Sequence, residues 1–400
     1  MSSSENETDL TGYLPVDGFA GSLIGRVQVP AGWVGPIGGP SPVLVAEEGI
    51  FDLSTVAPTC ADLLASPFDR STFDSASVPR LGSYHEVMAN TLAVERDPRA
   101  PYFLTPVDIQ AIKACGVTFA VSMLERVIEE RAGGDPLEAN AIRSSIEAQV
   151  GEGIASVRPG STEAAELAAV LREQGLWSQY LEVGIGPYAE VFTKAQPLAA
   201  VGTGDQVGIL AVSSWNNPEP EIVLVVTPDG TIVGVTLGND VNLRDIEGRS
   251  ALLLGKAKDN NASCAIGPFI RLFDATFGLD DVRVAEVSLT VEGPDQFSLS
   301  EVSLMKHISR DVEELVSHAM GPHHQYPDGL ALFTGTLFAP VQDRGEDGLG
   351  FTHKIGDVVR ISSPALGMLE NRVAYTDTTP PWTFGISALM RNLSQRGLYG

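Results

Sequence analysis

Residues 217–258 read NPEPEIVLVVTPDGTIVGVTLGNDVNLRDIEGRSALLLGKAK. Two β-branched runs, 222–226 and 231–237, flank the turn residues Pro228-Asp229-Gly230. Two such runs separated by a short turn containing Gly predict a β-hairpin. The rest of the chain is interpreted around this hairpin.

Three acidic residues are predicted to meet at the open end of the hairpin. Glu219 and Glu221 stand two apart, so their side chains leave the same face of a strand. With the turn centred near Pro228 and Asp229, Asp240 comes back opposite residue 217 or so. Three carboxylates this close repel each other unless a cation lies among them, and hard oxygen ligands suit Mg²⁺, Mn²⁺ or Ca²⁺ rather than zinc. The alternative interpretation is three solvated acids in an acidic protein.

The order of motifs around the hairpin resembles the metal-binding core of the fumarylacetoacetate hydrolase superfamily. The motifs are E-x-E at 219–221, NDV-x-x-RD at 239–245, Lys258, Gly267-Pro268, TGT at 334–336, GDVV at 356–359 and LGMLEN at 366–371. Within the superfamily the chain is similar to the bacterial 2-keto-3-deoxy-D-xylonate dehydratases. This similarity rests on GVTFAVSMLERVIEER, GLWSQYLEVGIGP, WNNPEPE, GNDVNLRDIEGRSALLL and HHQYPDG. The implied fold is an α+β, mixed β-rich roll with a small N-terminal β domain.

For the metal site, the resemblance implies that Glu219, Glu221 and Asp240 bind the cation, Mg²⁺ with Mn²⁺ or Ca²⁺ as substitutes. It also implies that Asn239 and Arg244 brace the turn that aims Asp240. Two remaining coordination positions of the ion would then accept the keto and carboxylate oxygens of a 2-keto acid.

The resemblance also suggests which groups carry protons. Family hydrolases have a His and a Glu three apart on a short helix over the site, and the matching residues here are Ser122 and Glu125. Serine cannot accept a proton as imidazole does, so this departure disfavours hydrolysis and is compatible with dehydration. We expect Glu125 to carry protons with Ser122 as its hydrogen-bonding neighbour, unless both lie on a solvated helix face. Lys258, dehydrated beside a cation, is expected to lose basicity, unless it is a solvated lysine just past a strand.

The remaining site predictions concern a fourth acid and the substrate. Glu190 is a possible fourth acidic group near the metal, or else a surface acid at a strand edge. Arg126 is placed to meet the substrate carboxylate, and Glu247 takes a position where many family members have a Gln that touches substrate. A carboxylate there suits a hydroxyl-rich substrate. The predicted substrate-binding residues are Phe119, Arg126, Glu247, Gly335 and Thr336.

Composition excludes several classes of function. The formal net charge of −25 argues against binding nucleic acid or anionic membranes, both of which need clustered Lys and Arg. No apolar run approaches the length that spans a bilayer, and MSSSENETDL lacks the features of a secretory signal. The three cysteines are far apart and show no metal-ligand spacing, so a reduced cytoplasmic setting is expected.

We expect a disordered tail at 1–8, an N-terminal β domain and linker at 9–104, and a catalytic domain at 105–400. The linker, 61–104, is interpreted as irregular. Thr105-Pro106-Val107-Asp108 has the composition of a helix start. The predicted helices are 119–131, 135–150, 161–174, 309–319 and 384–395, and the clearest strands are 22–29, 42–46, 209–213 and 284–291.

Together these points predict Mg²⁺-dependent dehydration of 2-keto-3-deoxy-D-xylonate to 2-oxoglutarate semialdehyde, in non-phosphorylating oxidative pentose degradation. The partner is then a small 2-keto sugar acid, and the resemblance implies a homodimer or homotetramer. One alternative is a hydrolase that cleaves the carbon–carbon bond of a 2,4-diketo acid. Another is a non-catalytic sugar-acid-binding protein.

Overall fold

The computed structural model describes residues 9–66, 68, 74–143, 157–338, 342–345 and 350–399. The strands are β1 (Leu23–Val29), β2 (Gly39–Ala46), β3 (Gly49–Asp52), β4 (Arg80–Gly82), β5 (Tyr102–Leu104), β6 (Ala111–Gly116), β7 (Glu190–Ala195), β8 (Gln206–Ile209), β9 (Asn216–Asn217), β10 (Pro220–Val226), β11 (Ile232–Asp240), β12 (Asn242–Leu243), β13 (Cys264–Leu272), β14 (Glu286–Glu292), β15 (Ser298–Leu304), β16 (Leu330–Phe333), β17 (Val358–Ser363) and β18 (Gly367–Tyr375).

The helices are shorter and lie mostly between strands. They are α1 (Cys60–Leu64), α2 (Tyr84–Leu92), α3 (Ala120–Arg131), α4 (136–143), α5 (Thr162–Glu173), α6 (Gln179–Ile185), α7 (Arg244–Glu247), α8 (Leu254–Lys258), α9 (Leu279–Arg283), α10 (Val312–Ala319) and α11 (Ile386–Gln395). In the described part of the chain, no helix combines the length and the apolar character needed to cross a membrane.

Two sheets form the framework. The larger is an 11-stranded mixed sheet in the order β4-β3-β2-β1-β13-β11-β10-β16-β6-β7, with β5 paired to β1. The smaller has five strands in the order β15-β14-β17-β18-β8, and β9 pairs separately with β12. Most neighbours are antiparallel, while β16–β6 and β18–β8 are parallel. The predicted fold class, a mixed β-rich α+β roll, is confirmed.

The central hairpin β10–β11 is buried on both of its faces. Every residue of β10 is buried, and alternate residues join different hydrophobic clusters. Ile222 and Leu224 pack with residues of the smaller sheet, such as Leu289 and Ile361, whereas Val223 and Val225 pack in a second cluster. A strand covered on both faces reads as an unbroken apolar run, which explains the sequence IVLVV.

The hairpin is confirmed, but its predicted register was wrong. Asp240 donates its backbone N–H to the carbonyl of Glu219 at 3.0 Å and is not opposite residue 217. The turn centres on Asp229, because Thr227 and Thr231 close it. A bulge then adds one residue to β11, so that Val225 pairs with Gly234 while Val226 pairs with Ile232.

The strands of the N-terminal region belong to the same sheet as those of the site. β1 pairs with β13, and β13 pairs with β11, which ends at Asp240. The sheet therefore continues across residue 104. The predicted irregular linker was wrong in part, because 61–104 contains most of α1, all of α2 and the strands β4 and β5. The predicted tail, 1–8, lies outside the described residues.

Several predicted elements are confirmed, among them α3, α5 with Ser161 as its cap, α11, β1 and β2. The predicted helix 135–150 is helical at 136–143, and its remainder lies outside the described residues. The predicted strand 209–213 was wrong after Ile209, because the chain turns there and Ser213 donates its N–H to Leu210.

Two predicted helix starts were wrong, because Asp108 and Ser309 bond to other parts of the fold. The segment 105–108 is not helical; the Asp108 carboxylate instead accepts the N–H groups of Cys60 and Ala61, at 2.6 and 3.1 Å, and so caps α1. Helix α10 begins at Val312 with Asp311 as its cap. Ser309 donates both its N–H and its hydroxyl to a distant carbonyl, that of Thr118.

Candidate metal centre and active site

The three predicted carboxylates meet at the open end of the hairpin. Glu219 precedes β10, Glu221 lies in β10, and Asp240 ends β11 beside Glu219. All three are buried, and each offers an oxygen within 4.8 Å of the other two. The predicted gathering of these acids is thus confirmed, and the interpretation of solvated acids was wrong.

The charges of the three acids are balanced unequally. Burial opposes ionisation of Asp240, but Lys194 and Lys258 outweigh it and hold the pKa of Asp240 below its usual range. Burial, with the charges of Asp240 and Glu219, raises the pKa of Glu221 well above its usual range. The site therefore has more negative charge than its own lysines neutralise.

The donor set fits a hard divalent cation. Three buried carboxylate oxygens from Glu219, Glu221 and Asp240 provide the oxygen ligands that Mg²⁺ prefers. A cation among them would offset the repulsion from Asp240 and Glu219 that, together with burial, raises the pKa of Glu221. These are the residues that could hold the ion.

Lys258 lies at the end of α8 and points into the acidic cluster. It is 2% exposed, with its Nζ 2.5 Å from Glu219 Oε2 and 3.2 Å from Asp240 Oδ2. The predicted loss of basicity applies to a lysine beside a bound cation and stays a prediction. Burial opposes its charge, but Asp240, Glu219 and Glu247 outweigh burial and raise its pKa. Lys258 is therefore an ammonium group at neutral pH.

Helix α3 turns its polar side toward the site, so this side is not a solvated face. Ser122 and Glu125 are buried, and Arg126 is partly buried. Ser122 donates its hydroxyl to the carbonyl of Phe119 at 3.0 Å. Glu125 accepts from Arg143 and, at 3.1 Å, from Arg244. The predicted Ser122–Glu125 hydrogen bond was wrong, because charged arginine donors hold the carboxylate and the serine bonds within its own helix turn.

Arg126 and Arg244 tie α3 to the hairpin end. Arg126 contacts Glu219 and also lies 2.7 Å from Glu129 and 3.1 Å from Glu247. Arg244 donates to Glu129 at 2.7 Å. Arg244 was predicted to brace the turn that aims Asp240. This prediction was wrong, because Arg244 bonds to α3 instead. Asn239 does brace the site, because its Oδ1 accepts the N–H of Glu219 at 3.2 Å.

The site residues surround a cavity of about 20 Å³, which is room for roughly one water. Fourteen residues line it: Cys115, Gly116, Val117, Ser122, Arg126, Glu190, Phe192, Glu219, Glu221, Asp240, Glu247, Lys258, Gly335 and Thr336. None of these lining residues, as far as the described chain goes, is a histidine. Glu125 and Phe119 are not among them, and Phe119 is instead packed in the hydrophobic core.

Glu190 and Glu247 are two further acids on the cavity wall. Glu190 begins β7 beside Gly116, where an added Cβ would lie 2.0 Å from its Oε2. Burial and the charge of Glu247 raise the pKa of Glu190 to about 7. Burial also raises the pKa of Glu247, whose Oε2 lies 3.1 Å from Arg126 on the same wall.

The turn at Thr334-Gly335-Thr336 closes the cavity on the other side. Gly335 donates its backbone N–H to Glu221 Oε2 at 2.6 Å. Its φ of +90° and its closeness to Thr118 exclude a side chain. The turn thereby fixes one oxygen of the acidic cluster, and Thr336 lines the cavity beside it.

Two fully buried charged residues beside the cavity carried no prediction. Lys194 is fully buried, and its Nζ lies 2.7 Å from Asp240 Oδ1. Glu129 is 2% exposed and holds both Arg126 and Arg244. The sequence contained a pattern that indicates each of them. Lys194 is four residues after Glu190, so alternation along a strand puts both side chains on one face. Glu129 is one helical turn beyond Glu125.

Comparisons with known proteins agree with this geometry. The sequence profile described as "Fumarylacetoacetate (FAA) hydrolase C-terminal" matches residues 168–374, more than half of the chain and all three acids. A probable 2-keto-3-deoxyxylonate dehydratase of Haloferax volcanii is 33% identical over 201 residues, which are 50% of this chain and 65% of that protein. A 2-dehydro-3-deoxy-D-arabinonate dehydratase of Saccharolobus solfataricus is 29% identical over 180 residues, 45% of this chain and 57% of that protein. The matches thus span less than two thirds of each relative.

A solved structure shares the fold over a longer range. It is described as 2-keto-3-deoxy-D-arabinonate dehydratase complexed with magnesium and 2,5-dioxopentanoate, and it covers 88% of this chain and 99% of its own. Its TM-score is 0.59 at 20% sequence identity. With the profile match and the acidic cluster on its hairpin, the chain belongs to the fumarylacetoacetate hydrolase family.

Proposed function

We propose that this protein is a metal-dependent hydro-lyase that removes water from a 2-keto-3-deoxy-pentonate, with Mg²⁺ held by Glu219, Glu221 and Asp240. The observation that carries the proposal is a single buried cavity lined by these three acids together with Arg126 and Lys258. The charges of this lining suit a small anionic keto acid bound beside a cation, and the cavity of about 20 Å³ must widen to admit it. The names of the two curated relatives support the same reaction class.

The two names given to the relatives' substrates are compatible with a single compound. D-Xylonate and D-arabinonate differ only at C2 and C3. In the 2-keto-3-deoxy acids, C2 is a ketone and C3 a methylene, so for the D series only the shared C4 centre remains. We therefore propose 2-keto-3-deoxy-D-xylonate as the substrate and 2-oxoglutarate semialdehyde, which is 2,5-dioxopentanoate, as the product. Non-phosphorylating oxidative pentose degradation is the corresponding setting.

The reaction removes a proton from C3 and the hydroxyl from C4, which together leave as water. The resulting enone then loses a proton from C5 and gains one at C3, giving an enol that becomes the terminal aldehyde. A bound divalent ion polarises the keto group and acidifies the C3 methylene. The protein must supply a group that accepts a proton and one that gives a proton to the leaving hydroxyl.

We assign these two roles to Glu190 and Lys258. Lys258 is the lysine that lines the cavity among the described residues, and we propose that its ammonium group gives a proton to the leaving hydroxyl. Glu190 lines the same cavity, and its pKa of about 7 suits a group that exchanges protons near neutral pH. Glu125, the earlier candidate, is held by Arg143 and Arg244 away from the cavity lining. We propose that it positions α3, with Ser122 contributing to the cavity wall.

Recognition of the substrate is assigned to Arg126, Glu247 and the turn at Gly335 and Thr336. Arg126 is the guanidinium on the cavity wall, and we propose that it meets the substrate carboxylate once its contact with Glu219 is broken. We propose that the Glu247 carboxylate, whose Oε2 pairs with Arg126 at 3.1 Å, also accepts a hydroxyl of the substrate.

The competing function is hydrolysis of a 2,4-diketo acid. It is disfavoured because none of the described residues lining the cavity is a histidine that could activate water. A sugar-acid-binding protein without turnover is the remaining alternative. We also keep, from the family resemblance, the proposal of a homodimer or homotetramer, which sedimentation velocity tests.

The deciding experiment is a coupled assay. Chelator-treated protein is supplied with Mg²⁺ and 2-keto-3-deoxy-D-xylonate, and aldehyde formation is followed with an NADP-dependent semialdehyde dehydrogenase. Acetylpyruvate loss is followed in parallel. We expect chelator-sensitive aldehyde formation and no loss of acetylpyruvate. Diketone cleavage without aldehyde would establish the hydrolase, and substrate binding by calorimetry without any product would establish the binding protein.

A further inference from the structure

Lys194 occupies an unusual position behind the acidic cluster. It is near the end of β7, and its side chain is fully buried. Its Nζ donates to the carbonyls of Val241 at 3.1 Å and Lys258 at 2.7 Å, and pairs with Asp240 Oδ1 at 2.7 Å. A buried lysine is rare unless its charge is paired, and here every contact is with a segment of the site.

The contacts of Lys194 join the two segments that carry site residues. Val241 follows Asp240 directly after β11, while Lys258 closes α8. One ammonium group therefore fixes the hairpin end relative to the helix end. Lys194 is not among the described residues that line the cavity, so it cannot touch a bound substrate there.

We propose that Lys194 is a positioning residue of the metal centre. Lys194 holds Asp240 by Oδ1, which leaves Oδ2 for the ion. It also keeps Lys258 at a fixed distance from the same carboxylate. This inference rests on the proposed binding of a metal by Glu219, Glu221 and Asp240. In the structure Asp240 already divides its oxygens in this way, with Oδ1 toward Lys194 and Oδ2 toward Lys258.

Two effects of removing Lys194 have opposite signs, and this makes the proposal testable. A positive charge near a cation site repels the cation, so its loss alone would tighten Mg²⁺ binding. If Lys194 instead aligns Asp240, its loss would weaken binding, as the loss of groups that orient metal ligands commonly does by about 10–100-fold. Alignment should prevail, because removal also leaves the carbonyls of Val241 and Lys258 without this donor.

The experiment compares Lys194→Met with Lys113→Met. Lys113 lies on the neighbouring strand β6 and donates to Thr193, the residue before Lys194, but it touches no acid of the site. Mg²⁺ is titrated by calorimetry into chelator-treated wild type and both variants, and thermal unfolding is recorded without metal. We expect Lys194→Met to bind Mg²⁺ about 10–100-fold more weakly. Lys113→Met should bind like the wild type.

The outcomes separate this inference from the proposed function. If folded Lys194→Met binds Mg²⁺ as tightly as the wild type or more tightly, the inference is overturned. This holds even if the variant has a lower unfolding temperature, because Lys194 would then have only a structural role. A wild type that binds no Mg²⁺ would overturn the proposed metal site itself. If Lys194→Met does not fold, Lys194→Gln, which keeps N–H donors without the charge, is measured against the same criterion.

Discussion

Replacing Gly335 with alanine tests how the turn at 334–336 supports the acidic cluster. Gly335 has a φ of +90°, and a Cβ there would lie 2.0 Å from Thr118 Oγ1 and 3.1 Å from the carbonyl of Cys115. Thr118 cannot easily yield, because its hydroxyl donates to the carbonyl of Thr334 at 2.7 Å. The turn must therefore shift, and the N–H that bonds to Glu221 shifts with it.

The chain provides a matched control in Gly230, at the tip of the hairpin. Its φ is +89°, and nothing lies within 4 Å of the position of an added Cβ. Gly230→Ala should lower the free energy of unfolding only by the cost of the left-handed conformation, about 1–2 kcal/mol. A less flexible unfolded chain offsets part of this loss. Alanine at Gly335 adds a steric overlap of about 1–3 kcal/mol. We therefore expect Gly335→Ala to lose more stability by about that difference.

The functional loss follows from the hydrogen bond to Glu221. A hydrogen bond to a charged group contributes about 1.5–3 kcal/mol, so its loss lowers kcat/KM or Mg²⁺ affinity by about 10–150-fold. Urea unfolding measures stability, calorimetry measures Mg²⁺ binding, and the aldehyde assay measures turnover. A Gly335→Ala protein whose turnover and Mg²⁺ affinity equal those of Gly230→Ala would refute the reasoning.

Three further substitutions test the site and its support. Glu219→Ala should abolish turnover at any Mg²⁺ concentration; full activity in the aldehyde assay would remove the metal assignment. Glu129→Gln removes the buried carboxylate that Arg126 and Arg244 share, although each arginine keeps another acidic partner. Urea unfolding should therefore show a loss of about 1.5–3 kcal/mol, as for a hydrogen bond to a charged group. His353 is buried, and burial lowers its pKa from the usual 6.5, so the unfolded chain takes up a proton that the folded protein does not. The unfolding free energy should then fall as the pH drops below about 6.5, by up to about 1.4 kcal/mol per pH unit, and His353→Gln should flatten this slope. An equal slope in both proteins would contradict this.

The hairpin and its acids were predictable because their signals are local. Alternation along a strand places Glu219 and Glu221 on one face, and a turn brings Asp240 back to them. The register was not predictable to the residue, because it depends on the bulge that pairs Val225 with Gly234. Nothing in the composition of the turn indicates that bulge.

Long-range partners explain the other differences. Asp108 was expected in the first turn of a local helix, but its carboxylate caps α1, whose Cys60 lies 48 residues away from Asp108 in sequence. The solvated face stayed open as an alternative for α3, because the pattern alone cannot distinguish water from Arg244 and Glu219. The direction of the Lys258 pKa shift likewise depends on three acids brought together only by folding.

The pairing of β1 with β13 has a consequence for how the chain can be divided. β13 lies between β1 and β11, so removing residues 9–104 would leave one side of β13 without its neighbour. The exposed N–H and C=O groups of an unpaired strand are a template for another chain. A fragment beginning at residue 105 should therefore self-associate through that open edge, although it retains every residue assigned to the active site.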